Sequence, residues 1–237
     1  MKLKEFLSTN NIKLNQNVLK LCLQGIKYMK NTKDLHHSER HIERILDNLD
    51  YILKKESIDN LNFSILLTSI CWHDVWKSTR KQTTNFFLSW LEQCYEGYGS
   101  SRIFDKQVKK FKVSGKFIKR VDYVIKRHVR LEYFFPLFIR KKIFEPKTLE
   151  AILFRDLDAL DTWNVDRLID LENEYIKKKK FKKLHIPILW GWYVFVLKRV
   201  SDERFYFETS KKLFLKRRKE LFNKIDLFKI NVRNLVQ

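Results

Sequence analysis

Between residues 61 and 70 the chain is apolar almost without a break. Leu61, Phe63, Ile65, Leu66, Leu67 and Ile70 cover every side of a helix, so this stretch is predicted to be a buried helix. The segments around it are two-faced. Val18, Leu19, Leu21, Cys22, Ile26 and Met29 recur at helical spacing and predict a helix over about residues 15–30. Ile42, Ile45, Leu46, Leu49 and Leu53 predict another, starting at Ser38 as N-cap and running to about residue 55. Phe86, Phe87, Trp90, Leu91, Cys94 and Tyr95 form one stripe, and Phe117, Ile118, Val121, Val124 and Ile125 form a second that ends on His128. Leu149, Ile152, Leu153, Leu157 and Leu160 make a further apolar face, with Pro146 expected in the first turn of its helix. Residues 165–175, 186–200 and 204–228 add two or three more helices. The glycine- and serine-bearing stretch 97–101 reads as a loose, mobile connector without a phosphate-loop pattern.

Composition agrees with this pattern. Only five glycines and three prolines punctuate 237 residues, too few for the many turns of a sandwich or barrel, so the fold is expected to be all-α. A hydrophobic content of 44% with 14% aromatics supplies a core for one domain over 1–237. Cys22, Cys71 and Cys94 are too widely spaced for a metal knuckle or a disulfide ladder and are expected to be reduced. No signal-peptide pattern opens the chain and its longest apolar run, twelve residues from 186 to 197, is too short to span a bilayer. The expectation is a soluble, cytoplasmic protein. A formal charge of +21, with clusters at 177–183 and at Lys216-Arg217-Arg218-Lys219, fits solvated helix faces or a footprint for nucleic acid or an anionic substrate.

Certain polar residues sit where apolar ones are expected. His73 and Asp74 follow the buried run directly. Adjacent helix positions diverge by about 100°, so the two side chains converge on one ion only near a helix end, or if the ion sits between their faces. His37 and His41 are four apart at the start of the second helix, a spacing that presents two imidazoles to one site. His128 closes an apolar stripe. Asp156, Asp158 and Asp161 interrupt another. Asp161 is expected on its exposed flank and Asp156, four from both Ile152 and Leu160, half-buried. Asp158 falls about 200° around the helix from Asp156, so one ion does not take both directly.

The sequence His37-x-x-x-His41-Ile42, then Trp72-His73-Asp74-Val75, then Asp156-Leu157-Asp158-Ala159 resembles the HD-domain superfamily of metal-dependent phosphohydrolases, whose signature is His…His-Asp…Asp. The opening looks most like a branch of predicted HD phosphohydrolases. The resemblance covers residues 15–165 well and the basic part 166–237 weakly, where Glu172, Tyr175, Arg204 and Tyr206 echo that branch. Val75-Trp76-Lys77 keeps only the lysine of the Gly-Lys that often follows the signature, and Ala159 stands where relatives carry an arginine.

What the resemblance implies is an HD-type helical bundle with additional C-terminal helices. It assigns His41, His73, Asp74 and Asp158 to the metal, with Asp156 behind them. Such a nitrogen–oxygen set suits Mn²⁺, Fe²⁺, Co²⁺, Ni²⁺ or Zn²⁺ better than Mg²⁺. The implied reaction is hydrolysis of a phosphate ester, of a nucleotide above all, by metal-activated water, with His37 and His128 binding phosphate or protonating the leaving oxygen and Lys77 and Arg127 holding its charge. The competing expectation is a non-catalytic basic helical protein that binds nucleic acid or a nucleotide, with a vestigial site.

Overall fold

The apolar run after Asn62 forms the buried helix that its composition demands. The computed structural model describes residues 1–32, 38–79, 86–129, 145–171 and 205–236, and every regular element among them is a helix. They are α1 (Leu3–Thr9), α2 (Gln16–Lys30), α3 (Glu39–Leu53), α4 (Phe63–Trp72), α5 (Val75–Ser78), α6 (Phe86–Val108), α7 (Gly115–His128), α8 (Leu149–Thr162), α9 (Val165–Leu171) and α10 (Glu208–Val236). The all-α expectation holds. Among the described residues no helix is long and apolar enough to cross a membrane. The chain divides into two compact units, 1–158 and 159–237, inside the region read from sequence as one domain.

In the first unit α4 is the central rod, touched by α2, α3, α6 and α7. Every residue from Ile65 to Trp72 is buried, and each fully buried Leu or Ile contributes roughly 1.5–3 kcal/mol. The hydroxyls of Thr68 and Ser69 lie in this apolar setting at no cost in unsatisfied groups, because they donate back to the Ser64 and Ile65 carbonyls at 2.7 and 2.8 Å. Asn62 caps the helix by accepting from the Ile65 N–H at 3.1 Å. Trp72 donates its indole N–H to the Leu21 carbonyl of α2 at 2.9 Å. Gly25 lets α2 approach that closely, since a Cβ there would run into the Cys71 backbone. Buried Asn48 on α3 donates to the Leu157 carbonyl at 3.1 Å and so ties α3 to α8.

Two expectations about these elements need correction, and one helix was not expected. Residues 97–101 are neither a loop nor a simple connector; they lie inside the 23-residue α6. Their small side chains permit close contact, as a Cβ on Gly97 would press on the Ile125 carbonyl of α7 and one on Gly99 would overlap the Trp76 ring of α5. Pro146 precedes α8 and does not enter its first turn. Helix α1 has only two buried residues, Leu3 and Phe6, and so gives no usable periodicity; its start is fixed by Glu5, which accepts the Lys2 N–H at 3.2 Å.

In the second unit the cohesive elements are aromatic. Trp163 meets Phe214 edge-on with ring centroids 5.0 Å apart, and Phe205 packs on the same Phe214 at 4.9 Å. Arg217 of α10 donates to the Leu160 carbonyl at 3.0 Å. Asp161 is the third carboxylate of the α8 series, and it is fully buried, not on an exposed flank. Its partner, Arg167 at 3.4 Å, lies six residues on, beyond the helix end, where no helical-wheel argument reaches.

Candidate metal centre

Helix α4 stops at Trp72, one residue before the His-Asp pair. His73 is its C-cap and still helical (φ −61°, ψ −35°), whereas Asp74 turns to φ −110°, ψ 7° and caps the short α5. That break brings both side chains to one point at a helix end. His41 arrives from the first turn of α3, and Asp158 from α8.

His41, His73 and Asp158 form one close group of donor atoms, and Asp74 adjoins it through His41 and His73. His41 Nε2 is 3.0 Å from His73 Nε2, 3.5 Å from Asp74 Oδ2 and 3.4 Å from Asp158 Oδ1. His73 Nε2 is 3.2 Å from Asp74 Oδ2 and 4.0 Å from Asp158 Oδ1. Ligands about 2.1 Å from one ion stand about 3.0 Å apart when adjacent in an octahedron and about 4.2 Å apart when opposite. The five spacings fall within or close to that range, His73 to Asp158 being the widest of the five. His41, His73 and Asp74 are buried, and Asp158, 30% exposed, is the member that solvent reaches.

Proton counting shows why such a cluster fits a cation. His73 Nδ1 lies 2.8 Å from the Ile70 carbonyl, which can only accept, so that nitrogen carries the ring proton. The Nε2 of neutral His73 then offers a lone pair. The two carboxylate oxygens are acceptors as well, and His41 adds at most one N–H. Electron-rich atoms facing one another with one proton at most among them could hold a metal ion, and the Nδ1 hydrogen bond orients the His73 ring. Burial above all lowers the pKa of His73 from its ordinary value, against the pull of Asp74, which keeps the ring in its ligating form. Burial on its own would raise Asp158; the His41 hydrogen bond and the surrounding imidazoles outweigh it and hold the carboxyl well below the usual range.

A second set overlaps the first. His73, Asp74 and His128 also lie close enough to share an ion. His128 repeats the device of His73: its Nδ1 donates to the Ile125 carbonyl at 2.5 Å, and its Nε2 faces Asp74 Oδ1 at 3.7 Å. The His73 ring meets His128 and Phe154 edge-on, each at 5.0 Å between centroids. Lys77, one turn after Asp74, places its ammonium 3.4 Å from Asp74 Oδ1 and in contact with Glu96 of α6. Glu96 is buried, and burial first, then the charge of Asp74, pushes its carboxyl well above the usual range while Lys77 opposes the shift. Glu96 is not among the residues that the sequence points to. Its one signal was a carboxylate among the small and aromatic residues Tyr95, Gly97 and Gly99, the part read as a loop.

The other expected residues fall as follows. Asp156 is fully buried, more than the half-burial expected, and belongs to neither donor group. Arg127 lies over the Tyr123 ring at 5.7 Å. His37 and the cluster at 177–183 lie outside the described residues. No family model, curated protein or solved structure matches this chain.

Proposed function

We propose that this protein is a metal-dependent phosphohydrolase of the HD type that cleaves a phosphate ester, with a nucleotide as the substrate class. The observation that supports this reading is the convergence of the His41, His73 and Asp158 donors, with Asp74 Oδ2 3.5 and 3.2 Å from the two imidazoles, at a point partly open to solvent. A transition-metal ion such as Mn²⁺, Fe²⁺, Co²⁺, Ni²⁺ or Zn²⁺, bound there, would supply Lewis acidity toward water and phosphate.

The chain's own groups divide the remaining work. Ester hydrolysis joins the oxygen of water to phosphorus, releases the ester oxygen and moves one proton from the first to the second. His128 has its Nδ1 proton committed to Ile125, so neutral Nε2 accepts the proton that water loses and returns it to the leaving oxygen. The Lys77 ammonium, 17% exposed, offers a positive charge to the phosphate at the same edge. Asp156 contributes from behind the ligands, through the helix that carries Asp158. The test is hydrolysis of bis(4-nitrophenyl) phosphate and of a nucleotide panel by the full chain loaded with Mn²⁺. Turnover that disappears in Asp74→Ala and Asp158→Ala supports the reading; turnover that survives both contradicts it.

A second reading rests on α10. Lys212, Lys216 and Lys219 recur at i, i+4 and i+7 and are all exposed, a basic stripe suited to a polyanion. On that reading nucleic acid binds with strong salt dependence and with equal affinity in wild type and Asp74→Ala. The two readings combine if the substrate is itself a nucleic acid.

A further inference from the structure

The second donor set, His73, Asp74 and His128, shares Asp74 with a cation that the chain itself supplies. Asp74 Oδ1, the oxygen turned away from the His41–Asp158 group, has the Lys77 ammonium at 3.4 Å and His128 Nε2 at 3.7 Å. Behind Lys77 lies the buried carboxylate of Glu96, in direct ion-pair contact with it. Asp74 and Glu96 are oxygen donors of the kind that bind a divalent ion, and they flank an ammonium.

We propose that Lys77 serves as a tethered second cation, so that the centre takes one divalent ion and Lys77 excludes another from between the carboxylates of Asp74 and Glu96. This rests on the metal-centre reading above. Charge supports it. Asp74, Asp158 and Glu96 carry three negative charges when ionised, and one divalent ion with one ammonium carries three positive ones. A second divalent ion beside Lys77 would leave a surplus of two charges in a mostly buried site, and an uncompensated buried charge is costly. Position supports it too. Lys77 lies one turn after Asp74 on α5, whose backbone is held against α6 by the Trp76 N–H donating to Ser100 Oγ at 3.2 Å and by Gly99 beneath the Trp76 ring. The same helix, α6, carries Glu96. The ammonium is thus fixed from both sides.

Removing the ammonium should turn the space between Asp74 and Glu96 into a second metal site. The test uses the full chain, stripped by chelator, dialysed against Mn²⁺ and read by elemental mass spectrometry and electron paramagnetic resonance. Wild type and Lys77→Arg are expected to hold one Mn²⁺ per chain with an isolated-ion spectrum. Lys77→Ala and Lys77→Met are expected to hold two, with the spectrum of an exchange-coupled pair, and adding Glu96→Gln to either should return the count to one. Two ions in wild type overturn the proposal without any variant. So does a count of one in Lys77→Ala and Lys77→Met when their helical circular dichroism equals that of wild type. No ion in wild type overturns the metal-centre reading itself, and this inference with it.

Discussion

The two halves of the His-Asp cluster solve one problem in different ways. On the His41 and Asp158 side, acceptor atoms crowd around at most one N–H, with His41 Nε2 3.0 Å from His73 Nε2 and 3.4 Å from Asp158 Oδ1. On the Glu96 side, the buried carboxylates of Glu96 and Asp74 are met by Lys77, a cation built into the chain. Concentrated buried negative charge needs a positive partner, and the difference lies in whether that partner can be exchanged. On the proposed reading an exchangeable cation would leave room for a reacting group, whereas the tethered one would set the shape and charge of the edge where a substrate enters.

The sharpest way to break this comparison is to remove ligands from the exchangeable side. Asp158→Ala and Asp74→Ala are expected to lower Mn²⁺ affinity by about 100-fold or more, a loss at the upper end of what orienting groups alone cost, as read by isothermal titration. Equal affinity in wild type and Asp158→Ala would separate Asp158 from the site. Next in size is packing beneath the centre. Gly25→Ala puts a Cβ into the Cys71 backbone, two residues before His73, and is expected to cost about 1–3 kcal/mol in urea unfolding. Gly99→Ala should cost a similar amount by displacing Trp76.

A smaller effect distinguishes the halves by sign in metal-free protein. The folded pKa of His73 is depressed, so its contribution to stability is complete above its unfolded value near 6.5 and is lost as pH falls below it. The folded pKa of Glu96 is raised, so its contribution is complete below its unfolded value near 4.5 and is lost as pH rises through the folded value. Between pH 5 and 7 the two slopes oppose each other, each bounded by about 1.4 kcal/mol per pH unit. Glu96→Gln should therefore steepen the gain in stability with rising pH, and His73→Gln should flatten or reverse it, in urea midpoints measured across that range. Smallest of all, Ser114→Ala removes the cap that accepts the Phe117 N–H at 3.2 Å and should cost about 1 kcal/mol without changing metal affinity.

Much of this molecule is legible in its sequence, and the parts that are not share a cause. Periodicity gives α2, α3, α4, α7 and α8 because each buries one face or, for α4, every face. The His-Asp pair following an almost continuous apolar run locates the candidate centre. Glycine misled the reading of α6, because 97–101 carries residues that end helices in isolation but here admit Trp76 and α7 at close range. Asp161 was misread since its partner, Arg167, lies past the helix end. Glu96 was overlooked for a related reason: a single glutamate says nothing until a helix 19 residues away in sequence places Lys77 against it. Local spacing records what one helix buries, and it does not record which neighbour arrives.

The most direct test of the central claim is the metal content, by elemental mass spectrometry, of the full chain purified without chelator, beside Asp158→Ala. About one transition-metal ion per wild-type chain, absent from the variant, is the result expected of a centre built from His41, His73, Asp74 and Asp158. A wild-type chain that holds no ion, even after exposure to Mn²⁺ or Co²⁺, would contradict it.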